Sequence, residues 1–415
     1  MESVGVPMSS YRISIEIGRE THLVGMLDVF NNREKEFYRF QYSDEWINHP
    51  FSFEIDPMLP LKRNFPFQEN RLFGVFQDIS PDRWGRILQD RAYPGGRAPS
   101  ESMIGVSDYM RLGAIRISLS NNPKEYLSQH SDVPKFVMIS ELSEAIRRVE
   151  TDRETSDDIR KLLRPGASLG GARPKAVVQE DGTMWIAKFP SQNDEHRVGL
   201  WEFTMLKLAG SVGIETPDTK VLDLPRGNHV LLVKRFDRTA DGGRIPFMSA
   251  MTMLGRDEKT RDYGSYLELV EMIVTVSSNP TKDAKNLWKR MVFNALTGNT
   301  DDHLRNHGFL RTVSGWTLSP AYDLNPNPRR QHHALSFDGF NSLPSMKLFL
   351  SLSPYFRYGS ATEANNELER ICEGVSRWKE VAKSVGVESR EIARMEKSFS
   401  LIDGSGETSG AVPKH

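Results

Sequence analysis

The Asp181-Gly182 pair separates two short apolar runs, Ala176-Val177-Val178 and Met184-Trp185-Ile186-Ala187-Lys188-Phe189, and so fixes a β-hairpin near the middle of the chain. A Gly-rich stretch, Gly166 to Lys175, leads into it. A helix is expected over 194 to 209, because Val198, Trp201, Met205 and Leu208 fall on one face and Gly210 can end it. Asn228 to Phe236 then reads as a buried strand. Beyond it the pattern is largely helical, with Leu287, Trp288, Met291, Val292, Ala295 and Leu296 marking an amphipathic helix that stops at Gly298. Strands followed by a run of helices predict an α/β (α+β) fold, with a mostly helical C-terminal part.

The first hundred residues have a different rhythm. Ile13, Ile15 and Ile17 alternate with polar residues, and Tyr38, Phe40 and Tyr42 repeat that period, which predicts a strand-rich module. Ser80 as N-cap with Pro81 at the first helical position predicts a helix through about Leu88. Residues 140 to 164 are charge-rich and helical in character, placing the main boundary near 135 to 160. The expected division is 1–135, 136–240, 241–402 and a Gly/Ser-rich tail, 403–415, expected to be disordered. No internal repeat is visible.

With 415 residues, 38% hydrophobic and 26% charged, the chain can bury substantial cores in two or three domains. Its 54 Lys and Arg against 55 Asp and Glu give a net charge of −1 and no bulk electrostatic footprint for nucleic acid. No helix pair of DNA-reading type is evident, so direct contact of this chain with DNA is not expected. Cys372 stands alone, which excludes an intramolecular disulfide and points to a reducing, cytoplasmic setting. No apolar run approaches the roughly 20 residues of a membrane helix, and no signal pattern opens the chain, so neither spanning nor export is expected.

The chemistry concentrates after the helix that ends at Gly298. In Asn299-Thr300-Asp301-Asp302-His303-Leu304-Arg305-Asn306-His307, Asp301 and Asn306 have the spacing of a kinase catalytic loop. One carboxylate accepts or orients the proton of an attacking hydroxyl, and an amide oxygen five residues later turns back to hold magnesium. Asp323, in Pro320-Ala321-Tyr322-Asp323-Leu324, follows a short apolar strand as a metal-binding acid would. Taken singly, Asp301 reads equally well as a turn cap and Asp323 as a polar loop residue. The glycines of the 166–175 loop allow backbone N–H groups to approach phosphate oxygens, although an ordinary hairpin connection is the commoner use of a Gly pair. Lys188 ends a strand where its ammonium could pair with phosphates, with Glu202 on the next helix as its candidate partner. The bland readings are a snorkelling lysine and a solvated glutamate.

The ordered series Ser168 to Lys175, Trp185 to Pro190, Val233 to Arg238, Asn299 to Asn306 and Tyr322-Asp323-Leu324 resembles the HipA family of bacterial toxin kinases. Val24-Gly25-Met26-Leu27, Asp56 to Leu61, Asp78 to Asp82 and Asp108 to Ala114 resemble that family's N-terminal subdomain. The resemblance implies a two-lobed, protein-kinase-like fold and an ATP-dependent serine/threonine protein kinase. In it Asp301 is the catalytic base, Asn306 and Asp323 hold Mg2+, and Lys188 contacts ATP. The nucleotide site it implies also takes in Ser168, Gly170, Gly171, Ala172, Lys175, Glu202, Lys234, Phe236, Asp237 and His303. Val233 to Phe236 would form the hinge, with Asp237 a nearby structural or binding contact.

By the same resemblance, Ser168 matches the loop serine that family members autophosphorylate, after which the loop leaves the nucleotide site. It also implies a helix-turn-helix antitoxin (HipB-like) as partner and a protein substrate, for which aminoacyl-tRNA synthetases are the family precedent. Two departures stand out: Ala172-Arg173-Pro174 replaces a less rigid segment, and Lys234 replaces a hinge acid. Two other readings compete. Asp301, His303, His307 and Asp323 could form a metal-hydrolase cluster, and the chain could be a catalytically weak nucleotide-binding regulator acting with a DNA-binding antitoxin. His332-His333 carries no assigned role.

Overall fold

The computed structural model describes residues 7–32, 35–128, 133–163, 173–225, 228–257 and 264–402. Ser168, Gly170, Gly171 and Ala172 lie outside these residues, as does the 403–415 tail. The chain divides into two compact units. The first comprises residues 1–194, 222–259 and 309–314; the second comprises 195–221, 260–308 and 315–415.

The first unit opens with the strands that the alternating pattern predicts: β1 (Ser9–Ile17), β2 (Glu20–Asn32) and β3 (Lys35–Tyr42). With β4 (Phe67–Glu69), β5 (Ile115–Leu119) and β6 (Asn122–Tyr126) they form a six-stranded sheet in the order β4-β3-β2-β1-β5-β6. Tyr11 stands opposite Leu27 and Leu27 opposite Phe40, so one buried row of side chains crosses three strands. Short helices α1 (Asp44–Ile47), α2 (Gly74–Asp78) and α4 (Pro99–Ile104) surround it, and α3 (Arg83–Ala92) is the longest of this group. Its start differs from expectation. The N-cap is Asp82, whose Oδ1 accepts from Gly85 N at 2.7 Å, while the Ser80 hydroxyl donates to Phe76 O at 2.7 Å. A carboxylate that reaches the open amides of the first turn outcompetes the hydroxyl two residues earlier.

Two helices, α5 (Ile139–Glu150) and α6 (Ser156–Leu163), precede the hairpin of β7 (Lys175–Glu180) and β8 (Thr183–Lys188). Asp181 and Gly182 both have positive φ, 46° and 77°, which the tight turn between twisted strands requires. The hairpin joins β9 (Thr219–Leu224) and β10 (Asn228–Lys234) in a sheet of order β7-β8-β10-β9. Ala176, Val178, Trp185, Ala187, Val230 and Leu232 pack with Ile139, Leu142, Ile146 and Leu162 of the two helices in one core. The unit also holds β11 (Phe247–Ser249), α8 (Ala250–Met253) and the greater part of β12 (Gly308–Thr312), which pairs with β11.

The second unit is mostly helical. It contains α7 (Val198–Ser211), α9 (Tyr266–Val276), α10 (Pro280–Leu296), β13 (Gly315–Leu318), α11 (Met346–Leu352), α12 (Ala361–Ser376), α13 (Trp378–Ser384) and α14 (Ser389–Met395). α7 runs through Gly210 to Ser211, and beyond its cap Gly213, with φ 73°, lets Ile214 N return to Ala209 O at 3.0 Å. Leu200 and Leu206 are buried along with the predicted Val198, Trp201, Met205 and Leu208, so α7 is a core helix rather than a one-faced one. α10 is likewise covered: Leu287, Trp288, Met291, Val292 and Leu296 are inaccessible, and Trp288 Nε1 donates to Phe349 O at 3.1 Å. Among the described residues no helix is long and apolar enough to cross a membrane.

Candidate active site

In the first unit, strand alternation decides where Lys188 points. Trp185 and Ala187 face the α5 and α6 core, so Ile186 and Lys188 project from the opposite face of the sheet, where both are partly exposed. Lys188 thereby points away from the α5 and α6 core at the end of β8. Lys175, directly opposite it across the hairpin, does something else. Its ammonium lies 3.1 Å from the Asp82 carboxylate, and both side chains are almost wholly buried. Lys175, expected at the nucleotide, is thus held in a buried ion pair that any contact with nucleotide would have to break. Withdrawing the ammonium would strand a buried carboxylate that already caps α3.

Asp237 is also turned inward. Arg235 donates to it twice, Nε to Oδ1 at 2.9 Å and Nη2 to Oδ2 at 2.6 Å. Arg238 Nη1 and Gly113 N donate to Oδ2 at 2.8 and 2.7 Å. Burial alone would raise this carboxyl, but Arg235 and Arg238 more than reverse that and hold it far below the usual range. Arg235 reaches on to the carbonyls of Met110 and Arg111 at 2.6 and 3.0 Å. Of the two roles expected for Asp237, the structural one accounts for every contact: it welds the end of β10 to the 108–113 loop. Lys234 is exposed, and the Phe236 ring lies 6.3 Å from that of Phe247.

In the second unit, α10 ends at Thr297, and Gly298 turns the chain with φ 61°. A Cβ there would sit 2.7 Å from Ser398 O, so both conformation and space demand glycine. The next residues are fastened to α10, since Asn299 N and Nδ2 donate to Asn294 O and Oδ1 at 2.9 and 3.0 Å. Asp301 is exposed at the tip. After a 3-10 turn at Leu304–Asn306, the Asn306 amide comes back and donates Nδ2 to Asp301 O at 2.8 Å. That bond spends the donor end of the amide and leaves Oδ1 as its free ligand atom.

Asp323 adopts φ 57°, the left-handed region that among non-glycine residues Asp and Asn enter most readily. Its neighbours are anchored: Tyr322 Oη donates to Arg305 O at 2.8 Å, and Asn325 N donates to Asn299 Oδ1 at 3.2 Å. Two hard oxygen donors, Asn306 and Asp323, thus come from segments stitched to one another, a donor set that suits magnesium. Glu202 is buried in α7 rather than solvated. His303 begins the 3-10 turn, half-buried. His307 packs edge-on to Tyr266, ring centroids 5.7 Å apart, and burial followed by the nearby Arg290 pushes its pKa down to about 4. Among the described residues no group of three or more potential ligands is assembled for a metal-hydrolase centre.

Tyr266, Asn294 and His333 carry no local motif that would select them. His333 is buried, with Nδ1 3.0 Å from Asp302 Oδ2, and Tyr266 Oη donates to the same oxygen at 2.7 Å. The available signal was Asp302 itself: a second acid beside the loop's first, on a segment emerging from a buried helix, needs donors.

Residues 167–396 match the family described as HipA-like C-terminal domain, and residues 16–103 match the HipA N-terminal domain. The chain belongs to the HipA family. The serine/threonine-protein kinase toxin HipA of Shewanella oneidensis is 25% identical over 188 residues, covering 39% of this chain and 43% of that protein. Two Sinorhizobium fredii proteins are also similar. Y4dM is 33% identical over 159 residues, 34% of this chain and 37% of its own, and Y4mE is 25% identical over 315 residues, 69% and 71%. The alignments therefore span well under half of Y4dM and of the Shewanella toxin. In three dimensions the chain resembles the HipA of Shewanella oneidensis solved with HipB and operator DNA. The TM-score is 0.71 at 18% identity, covering 95% of this chain and 96% of that one, which establishes the HipA fold.

Proposed function

We propose that this HipA-family chain is a Mg-ATP-dependent serine/threonine protein kinase. The observation that carries the reading is the return of the Asn306 amide onto Asp301 O, which exposes one carboxylate and one amide oxygen on a short loop. Asp301 accepts the proton of the attacking hydroxyl. Asn306 Oδ1 and Asp323 would hold magnesium, which when bound neutralises charge developing on the transferred phosphoryl group. Lys188, partly exposed at the end of β8, pairs with the phosphates, and the backbone of Val233 to Phe236 borders the adenine. Labelled ATP added to a lysate, followed by mass spectrometry of labelled proteins, tests the reading. Transfer to serine or threonine of a discrete protein supports it, and metal-dependent hydrolysis without ATP overturns it.

The finer assignments rest on the family. Ser168 is proposed as an autophosphorylation site: a phosphate adds about −1.5 to −2 charges beside the triphosphate, so the loop must swing out and nucleotide affinity must fall. Intact mass and site mapping after ATP treatment check this, together with nucleotide titration of the separated forms. Equal affinity of the two forms would sink it. The stiff Ala172-Arg173-Pro174 segment sets how far such a loop opens. A HipB-like helix-turn-helix antitoxin, a toxin role and a cytoplasmic site of action are proposed from the same kinship, since the Shewanella HipA was solved with HipB and operator DNA. Co-purification with the product of a neighbouring gene is the direct test of the partner.

A further inference from the structure

Asp302 stands next to the proposed base yet is wholly inaccessible. Its Oδ2 accepts from Tyr266 Oη at 2.7 Å and from His333 Nδ1 at 3.0 Å, and its Oδ1 accepts from Ala334 N at 3.0 Å. The Ala334 amide also reaches Thr300 O at 2.9 Å. One residue of the catalytic loop thus gathers donors from α9 and from the segment that follows Asp323. The same segment is tied at two further points, by Asn327 N to Gly298 O at 2.9 Å and Asn325 N to Asn299 Oδ1 at 3.2 Å. Asn294 closes the circuit, donating Nδ2 to Tyr266 Oη at 3.0 Å while its Oδ1 receives Asn299. Both carboxylate oxygens of Asp302 thus find donors inside the unit. Such a network fixes the relative placement of the segments it joins.

We infer that Asp302 is a positioning residue, a buried latch that through His333 and Tyr266 holds the 325–335 segment on the catalytic loop and so fixes Asp301 relative to Asp323. This deepens the kinase reading and rests on it. The reaction needs Asp301 against the acceptor hydroxyl and Asp323 against the metal at once, and a shift of about 1 Å between them costs about a hundredfold in rate. Binding of ATP makes no such demand on Asp301. Loosening the latch should therefore lower kcat and spare KM for ATP, whereas general damage to the unit would move both.

The test compares Asp302→Asn, His333→Asn and His333→Ala in the full chain. Asn at 333 keeps an N–H donor near the Nδ1 position; Ala keeps none. Asp302→Asn and His333→Ala are expected to lose about tenfold to hundredfold in kcat with KM for ATP within about twofold, and His333→Asn to recover most of the loss. A kcat for Asp302→Asn within about twofold of the parent overturns the inference, as does equal loss in the two His333 variants. Amide hydrogen exchange is measured on the same proteins. Faster exchange confined to residues 332–336 supports the latch, and unchanged exchange there overturns it. A parent chain that transfers no phosphate defeats the kinase reading alone, because the exchange result still decides the latch.

Discussion

The ammonium of Lys175 lies 3.1 Å from the carboxylate of Asp82, with both side chains all but inaccessible. Asp82 caps α3 through Oδ1, so its Oδ2 depends on Lys175 for its charge partner. Lys175→Met, which keeps length and loses charge, is expected to destabilise the protein by about 3–5 kcal/mol, while the double variant with Asp82→Asn recovers part of that. Urea denaturation of the four proteins in the cycle measures it. A loss in ATP affinity without a loss in stability would return Lys175 to the nucleotide site.

Asp237 sits in a denser cluster, where among the described residues Arg111, Arg116, Arg235, Arg238 and Arg244 pair with Glu16, Asp108 and Asp237. Removing one carboxylate leaves buried guanidinium groups facing one another. Asp237→Asn is expected to cost about 3–5 kcal/mol in stability, with the N-terminal module losing protection along with the end of β10. Hydrogen exchange at residues 108–113 reads that coupling, and unaltered exchange there would show that the weld is dispensable.

Asp301→Asn and Asp323→Asn should abolish transfer by different routes. Asn at 301 keeps shape but accepts no proton, a change expected to lower kcat by about a hundredfold or more with Mg-ATP binding retained. Asn at 323 tolerates the left-handed φ, so the loss isolates the metal ligand and should weaken Mg-ATP binding by roughly tenfold or more. Calorimetry alongside a labelled-phosphate assay separates the two. Full transfer by Asp301→Asn would refute the base assignment.

What could be read from the sequence was what local pattern and spacing determine. The alternation around Ile13 and Tyr38, the Asp181-Gly182 turn and the stop at Gly298 all reappear as β1, β3, the hairpin and the end of α10, because each depends on neighbours within a few residues. The spacing of Asp301 and Asn306 and the place of Asp323, on which the proposed kinase reading rests, are local in the same sense. The buried partners of Lys175 and Asp237, which are Asp82 and Arg235 with Gly113, were out of reach because tertiary packing assigns them, and a charge in a motif looks the same whether it faces nucleotide or core. Tyr266 and His333 lie 36 and 31 residues from Asp302, beyond any local signal.

His307 supplies a pH dependence whose sign is fixed. Burial, then the adjacent Arg290, lowers its pKa from 6.5 to about 4, so the folded chain keeps the ring neutral where the unfolded chain takes up a proton. Above about pH 6.5 neither state binds that proton and His307 contributes no slope. As pH falls through the window from 6.5 to 4, the unfolded state binds more protons and stability is lost, by about 3 kcal/mol once both values are passed. His307→Phe keeps an aromatic ring against Tyr266, at a centroid distance of 5.7 Å in the parent, and carries no titrating group. The difference in unfolding free energy between parent and variant should therefore be flat above pH 7 and shift steadily toward the variant between pH 6.5 and 4. Urea denaturation across that range measures it. A difference independent of pH would mean that the imidazole titrates alike in both states, and that the buried environment of the catalytic loop is wetter than its geometry requires.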